Sequence, residues 1–322
     1  MYFPLLRGRQ NELLAIRELV EKDLLSDRVR PIIEPIKITT SFLKLLEGIV
    51  RKEKNIAVIC NSPFIKVEEE EKFLRTMENH EELADRWKNA IESKCIIPAL
   101  HIEETINSKK TLSMLWNKNS RRMYLLSKPD DLRLLNSEQN EENDYFVMPD
   151  EAVFRRKIGD ECNRILIADN FNKKSRNSQY EDNLDEFFSE EHSYFKEDGY
   201  TGFSDYSIIG SEYVEGGFAP RAVAIHIVYF DDNNVLKVRH FVSDSNDDIR
   251  DPGGKFDEAV QKLKKWYEKE YKSLQFSILT EGLKRFLELA NNREYQGLGV
   301  VKKLSIMHHL ELMGRWLEIN ER

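Results

Sequence analysis

Short, continuous apolar runs recur along the first two thirds of the chain, and they constrain its fold more than any other feature. They fall at 2–6, 31–37, 56–61, 96–102, 123–127, 145–148, 165–169 and 206–209. Most are continuous rather than alternating, as in strands buried on both faces. Between them lie segments of helical periodicity at 12–20, 40–50, 68–91, 104–116, 130–135 and 151–160. In the third of these, Phe73, Leu74, Met77, Leu83, Trp87 and Ile91 repeat at helical spacing. Strand, helix, strand repeated this way predicts parallel strands joined by right-handed crossovers. Eight such strands predict an α/β fold of the (β/α)8, TIM-type barrel class. An open doubly wound sheet is the competing arrangement, but RGRQ after the first run supplies one glycine where a dinucleotide turn needs three.

The pattern changes in the last third. Residues 173–203 form a long polar stretch rich in Asn, Ser, Asp and Tyr, which reads as an inserted loop. RAVAIHIVYF and VLKVRHFVSD flank DDNN, a hairpin signal over 221–243. Pairing Phe230 with Val235 places His226 opposite Arg239 and Ile225 opposite His240. Three helices are predicted at 255–271, 277–291 and 300–318. The expected organisation is a barrel-like domain at 1–250, carrying the loop and hairpin, and a helical extension at 251–322. Ile306, Leu310, Met313 and Leu317 form an apolar stripe on the last helix, expected to pack on the chain in part and leave a patch for a partner. His308 and His309 point about 100° apart on that helix, so one is expected to pack and the other to face outward.

Composition narrows the functional classes. Forty-nine Lys and Arg against fifty-seven Asp and Glu give a net charge of −8 among 322 residues. Such a chain gains little from general attraction to phosphate backbones, so nucleic acid is expected only through a partner or a local basic cleft. No apolar run has the length of a membrane-spanning helix, and the first residues lack a secretory pattern. Cys60, Cys95 and Cys162 form no CxxC and are an odd number, which points to buried thiols in a reducing, cytoplasmic setting.

Function in a β/α barrel sits where the strands end. Arg7, Arg9 and Gln10 follow the first strand, Glu34 and Lys37 close the second, Asn61 the third, His101 the fourth and Asp169 the seventh. Alternation puts Glu34 on the face of Ile32, His101 on that of Ile97 and Ala99, and Asp169 on that of Ile165 and Ile167. Glu34, His101 and Asp169 are therefore the catalytic candidates. Two carboxylates and an imidazole suit general acid–base chemistry and leave room for a divalent metal, although no defined metal motif or other cofactor signature is present. Arg7, Arg9, Gln10, Lys37 and Asn61 are the anion- or ligand-binding candidates, guanidinium forks suiting phosphate or carboxylate. A buried network fixing the strand ends is the alternative use of the same residues.

Several separated segments also carry a resemblance. YFPLLRGRQNELLAI at the start, RPIIEPIK, GFSDYSIIG, AVAIHIVYF, HFVSDSND and the closing KKLSIMHHLELM resemble the bacterial and phage "beta protein" family. The resemblance covers nearly the whole chain and implies a barrel-like α/β fold. The family has no assigned reaction. Its bacterial branch is similar to proteins encoded in phages and mobile islands beside a restriction-endonuclease-like partner. The resemblance thus implies a subunit of a phage-defence system that holds or regulates a nuclease, with a protein partner and a homo-oligomer as expected associations. A hydrolase acting on a phosphorylated substrate at the barrel mouth is the alternative.

Overall fold

The computed structural model describes residues 1–102, 121–135, 143–216 and 220–320. The chain divides into two compact units, Met1–Ala168 with Glu191–Tyr206, and Asp169–Glu190 with Ser207–Arg322.

The first unit is the expected barrel. In chain order it contains β1 (Leu5–Leu6), α1 (Gln10–Glu21), β2 (Ile32–Ile33), α2 (Thr40–Arg51), β3 (Ile56–Ile59), α3 (Val67–Asn79), α4 (Glu81–Ile91), β4 (Ile96–His101), β5 (Met123–Leu125), β6 (Tyr145–Met148), α5 (Ala152–Lys157) and β7 (Asn163–Ala168). The segment α6 (Glu191–Tyr194) and β9 (Gly202–Asp205) complete it. The strands β1 to β7 and then β9 pair in parallel, each with the next. A bridge between Tyr2 and Phe203 brings the last strand back to the first, with Phe3 N donating to Phe203 O at 2.8 Å and Phe203 N to Met1 O at 3.0 Å. The inward faces form one apolar core that includes Phe3, Leu5, Ile32, Ala57, Ile59, Ile97, Ala99, Met123, Leu125, Val147 and Ile165.

Some expectations for this unit are corrected. The eighth strand lies at Gly202–Asp205, not 206–209, because the chain turns at Ser207 with φ +49° and continues as a short 3-10 turn. The helix expected over 68–91 is two helices. His80 leaves helical geometry between them, and Glu81 and Glu82 sit in the first turn of α4, where the helix dipole favours acids. The helix expected at 104–116 lies outside the described residues.

The second unit contains β8 (Asp185–Ser189), β10 (Ala224–Phe230), β11 (Leu236–Val242), α7 (Pro252–Lys269), α8 (Glu281–Asn292) and α9 (Leu298–Asn320). Its antiparallel sheet has the order β10, β11, β8. The polar stretch expected as a loop therefore supplies a strand, whose Phe188 is buried while Phe187 faces out. The hairpin forms, but one residue out of the expected register: Phe230 pairs Leu236, and His226 pairs His240. Val235 belongs to the turn, donating from its N to Asp231 Oδ1 at 3.0 Å, with Asn234 at φ +61°.

α9 departs from expectation as well. It is buried on nearly every side, Ile306, Leu310, Met313 and Leu317 having no exposed surface, so the stripe leaves no open patch. Both His308 and His309 are buried too. His308 Nε2 meets the Val228 carbonyl of β10 at 2.7 Å, and its Nδ1 meets Thr280 Oγ1 at 2.7 Å. His309 Nδ1 meets Ser207 Oγ at 2.9 Å. Hydrogen bonds from neighbouring elements replace water on both rings, which is what permits two adjacent histidines inside one helix.

Candidate site at the barrel mouth

The site begins with two prolines. Pro31 and Pro35 bracket β2, and Pro35 has no N–H to continue the ladder, so pairing stops once Glu34 N has donated to Leu6 O at 2.8 Å. Glu34 is thereby held beside the end of β1 with its side chain buried. Gly8 lets the two loops approach. It has φ +63°, and a Cβ there would stand 3.2 Å from Pro35 Cα and 3.3 Å from Glu34 O.

Arg7, the residue after β1, forms an ion pair with Glu34 Oε2. Its guanidinium carbon also lies 5.4 Å from the ring centroids of both Phe64 and Tyr206. The other carboxylate oxygen, Oε1, lies 2.9 Å from His101 Nε2 at the end of β4. An ionised carboxylate can only accept, so in this pair His101 Nε2 is the donor. Asn61 fixes the histidine's backbone from both sides, its Nδ2 donating to His101 O at 2.8 Å and its Oδ1 accepting from His101 N at 2.9 Å. Those two bonds extend the β3–β4 pairing by a side chain. Ser62 Oγ donates to Pro35 O at 2.6 Å and ties the end of β3 to the end of β2.

Four of the sequence candidates, Arg7, Glu34, Asn61 and His101, are thus brought together at the strand ends. Lys37 is exposed and pairs with Glu69 of α3 at 3.4 Å. Arg9 precedes α1, and Gln10 opens it with its side chain exposed. Asp169 opens the second unit, where its Oδ2 accepts from Ser211 N at 3.0 Å. Ser62, which closes the third apolar run beside Asn61, completes the mouth with Phe64 and Tyr206. Ser62 carried a signal, being the first polar residue after Asn61, but the aromatic rings come from loops with no period to read.

No protein-family model, curated protein or solved structure matches the chain. What the mouth can do is therefore read from its own chemistry. A buried carboxylate, neutralised on one oxygen by a guanidinium, orients an imidazole with the other. The His101 side chain is 21% exposed, against 2% for Glu34, so solvent reaches the imidazole and not the carboxylate. Among the described residues, no three His, Cys, Asp or Glu side chains are grouped as a metal site.

Proposed function

We propose that the barrel mouth is a proton-transfer site, with His101 as general base and acid, Glu34 as its orienting carboxylate and Arg7 as the counter-charge that keeps Glu34 ionised. The observation that carries this reading is the 2.9 Å contact between a buried carboxylate and a partly exposed imidazole at the strand ends. Such a carboxylate fixes the tautomer and stabilises the imidazolium that forms on proton abstraction. The substrate class is a phosphorylated small molecule, and the reaction hydrolysis. Arg9 is the N-cap residue of α1, and the backbone N–H groups of a helix's first turn favour an anion. The test is turnover of phosphomonoesters and phosphodiesters, with and without divalent metal, by the full chain and by His101→Asn. Loss of about 10²-fold or more in kcat, with an unchanged Tm, is the expected result. Turnover of none of the panel, or turnover that survives His101→Asn, overturns the reading.

A second reading is favoured by a different observation. Among the described residues β8 is an edge strand next to β11, its Phe187 is 62% exposed, and Leu184, just before it, is 45% exposed. An open edge with apolar side chains suits addition of a partner's strand. Together with the family resemblance, this supports a subunit of a phage-defence system that holds an adjacently encoded nuclease-like protein. Co-elution of the two proteins after co-expression, lost in Phe187→Asp, is the expected outcome. Independent elution of the unaltered proteins at micromolar concentration overturns it. No helix among the described residues is long and apolar enough to cross a membrane.

A further inference from the structure

The opposite end of the barrel, where the strands begin, holds a second polar cluster that the mouth does not use. Side chains alternate along a strand, so residues two positions before the core layer also point inward. Arg30 stands two before Ile32, Asn55 two before Ala57 and Arg121 two before Met123, and the later member of each pair lies in the barrel core. The floor of the barrel is therefore framed by two arginines and an amide.

The arginines converge. Arg30 Nη1 donates to Tyr145 Oη at 2.8 Å, and Arg121 Nη1 reaches the same oxygen at 3.5 Å. Tyr145 is itself buried in the core layer. Among the described residues, no carboxylate oxygen comes within the 4.0 Å of an ion pair with either guanidinium. Arg30 Nε is buried without a hydrogen-bond partner. The Tyr145 hydroxyl accepts from both arginines, and among the described residues nothing accepts its own proton. Two positive charges and a set of unused donors thus meet at one point, and the group they lack is a negatively charged hydrogen-bond acceptor. Arg121 also lines a cavity of about 480 Å³ with Asn55, Lys94 and Cys95, and Glu53 is its one carboxylate among the described residues. Glu53 is exposed and forms no ion pair with either cation.

We propose that this floor binds the phosphate group of a small phosphorylated ligand. Arg30 and Arg121 would each offer N–H groups to separate phosphate oxygens, and Tyr145 would donate its hydroxyl proton to a third. A dianionic tetrahedral group matches two converging guanidiniums in charge and shape, whereas a planar monoanionic carboxylate satisfies one fork. Lys94 stands at the rim, where it would meet the rest of an anionic ligand. The site is independent of the mouth chemistry and uses none of its residues.

The experiment is calorimetric titration of the full chain with inorganic phosphate and with glycerol 3-phosphate, at constant ionic strength in chloride. Arg121→Met is the principal variant, because Arg121 is exposed and its removal leaves the core intact. Arg75→Met, on the outer helix α3, removes the same charge elsewhere. Tyr145→Phe tests the hydroxyl. Saturable binding is expected, weakened about tenfold or more by Arg121→Met, less by Tyr145→Phe, and not by Arg75→Met. Tighter binding of the monoester than of phosphate identifies a phosphorylated ligand as the occupant. Equal binding of the two identifies free phosphate and overturns the ligand class. Absence of saturation by about 10 mM, or equal weakening by Arg121→Met and Arg75→Met, overturns the site itself.

Discussion

His226 and His240 face each other across the β10–β11 pair with their Nδ1 atoms 2.8 Å apart. One ring must donate and the other accept, so the contact exists only while at least one imidazole is neutral. His240 Nε2 lies 3.8 Å from Glu186 Oε2. A carboxylate at that distance favours a proton on His240 Nε2, which makes His226 the Nδ1 donor and His240 the acceptor. The Phe171 and Tyr180 rings surround the pair and keep water away.

Acid should therefore loosen the second unit. Burial, with His240 adding repulsion, holds His226 well below the usual imidazole range. Burial pushes His240 down to about 4 despite the attraction of Glu186, and pushes His308 to about 4. Burial, with His308 beside it, takes His309 to about 3. Each folded value lies below the unfolded one near 6.5, so the unfolded chain binds more protons between them. The stability these groups contribute is present above about pH 6.5 and is lost as pH falls toward 4. Glu311 works in the opposite sense, its carboxyl raised chiefly by burial, but it is one group against four. Thermal melts should show Tm falling by about 5 °C or more between pH 7.5 and 5. A flat Tm across that interval would show that the rings are not held neutral.

Leu310 should behave as core and not as an interface. It has no exposed surface in α9, so Leu310→Asp would bury a carboxylate among apolar side chains. A loss of about 4 kcal/mol or more is expected, read as a collapse of the denaturation midpoint. Unchanged stability together with a changed oligomeric state would contradict the packing seen here.

Barrel closure depends on Gly202. A Cβ at this position would stand 2.6 Å from the Phe3 ring and 2.7 Å from Met1 O, and the latter is backbone that cannot swing aside. Gly202→Val should cost about 3 kcal/mol or more, through separation of β9 from the N-terminal segment. Chymotrypsin digestion would report it, as faster cleavage near Phe203 than in the unaltered chain. Equal cleavage rates would mean that the closure tolerates a side chain.

The barrel was legible because a parallel sheet buries both faces of every strand, which leaves uninterrupted apolar runs such as 56–59 and 145–148. The mouth was legible where alternation operates: Ile32 and Ile97 face the core, and Glu34 and His101 follow in phase. Three features were not. β8 reads as polar because it is a short strand that opens on Asp185 and Glu186, with Glu186 buried where an apolar residue would have marked the strand. The hairpin slipped by one residue because turn length, not apolar pattern, sets register. The full burial of His308 and His309 depends on Thr280, Val228 and Ser207, which lie far away in sequence and carry no local signal.

The ion pair at the mouth offers the sharpest test of why Glu34 is there. The Arg7 and Glu34 side chains are 12% and 2% exposed, so neither charge is well hydrated when its partner is removed. Glu34→Ala leaves the guanidinium facing two aromatic rings without that carboxylate, at a cost of about 3–5 kcal/mol. Arg7→Met should cost a similar amount by stranding the carboxylate with His101. The double variant Arg7→Met with Glu34→Leu removes both charges and fills the space with apolar volume, so it should be more stable than either single variant. Urea midpoints of the four proteins give the coupling directly, and additive losses would show that the two charges do not depend on each other. Glu34→Gln separates structure from chemistry. It keeps the volume and one hydrogen-bonding oxygen while removing the charge that stabilises an imidazolium on His101. If the carboxylate only braces the strand ends, turnover should follow the folded fraction. If it serves proton transfer, turnover should fall in protein that remains fully folded, with the pH profile of kcat/KM displaced toward the acid side as expected for an imidazole that has lost its anion. An unshifted profile in folded Glu34→Gln would assign the carboxylate to architecture alone.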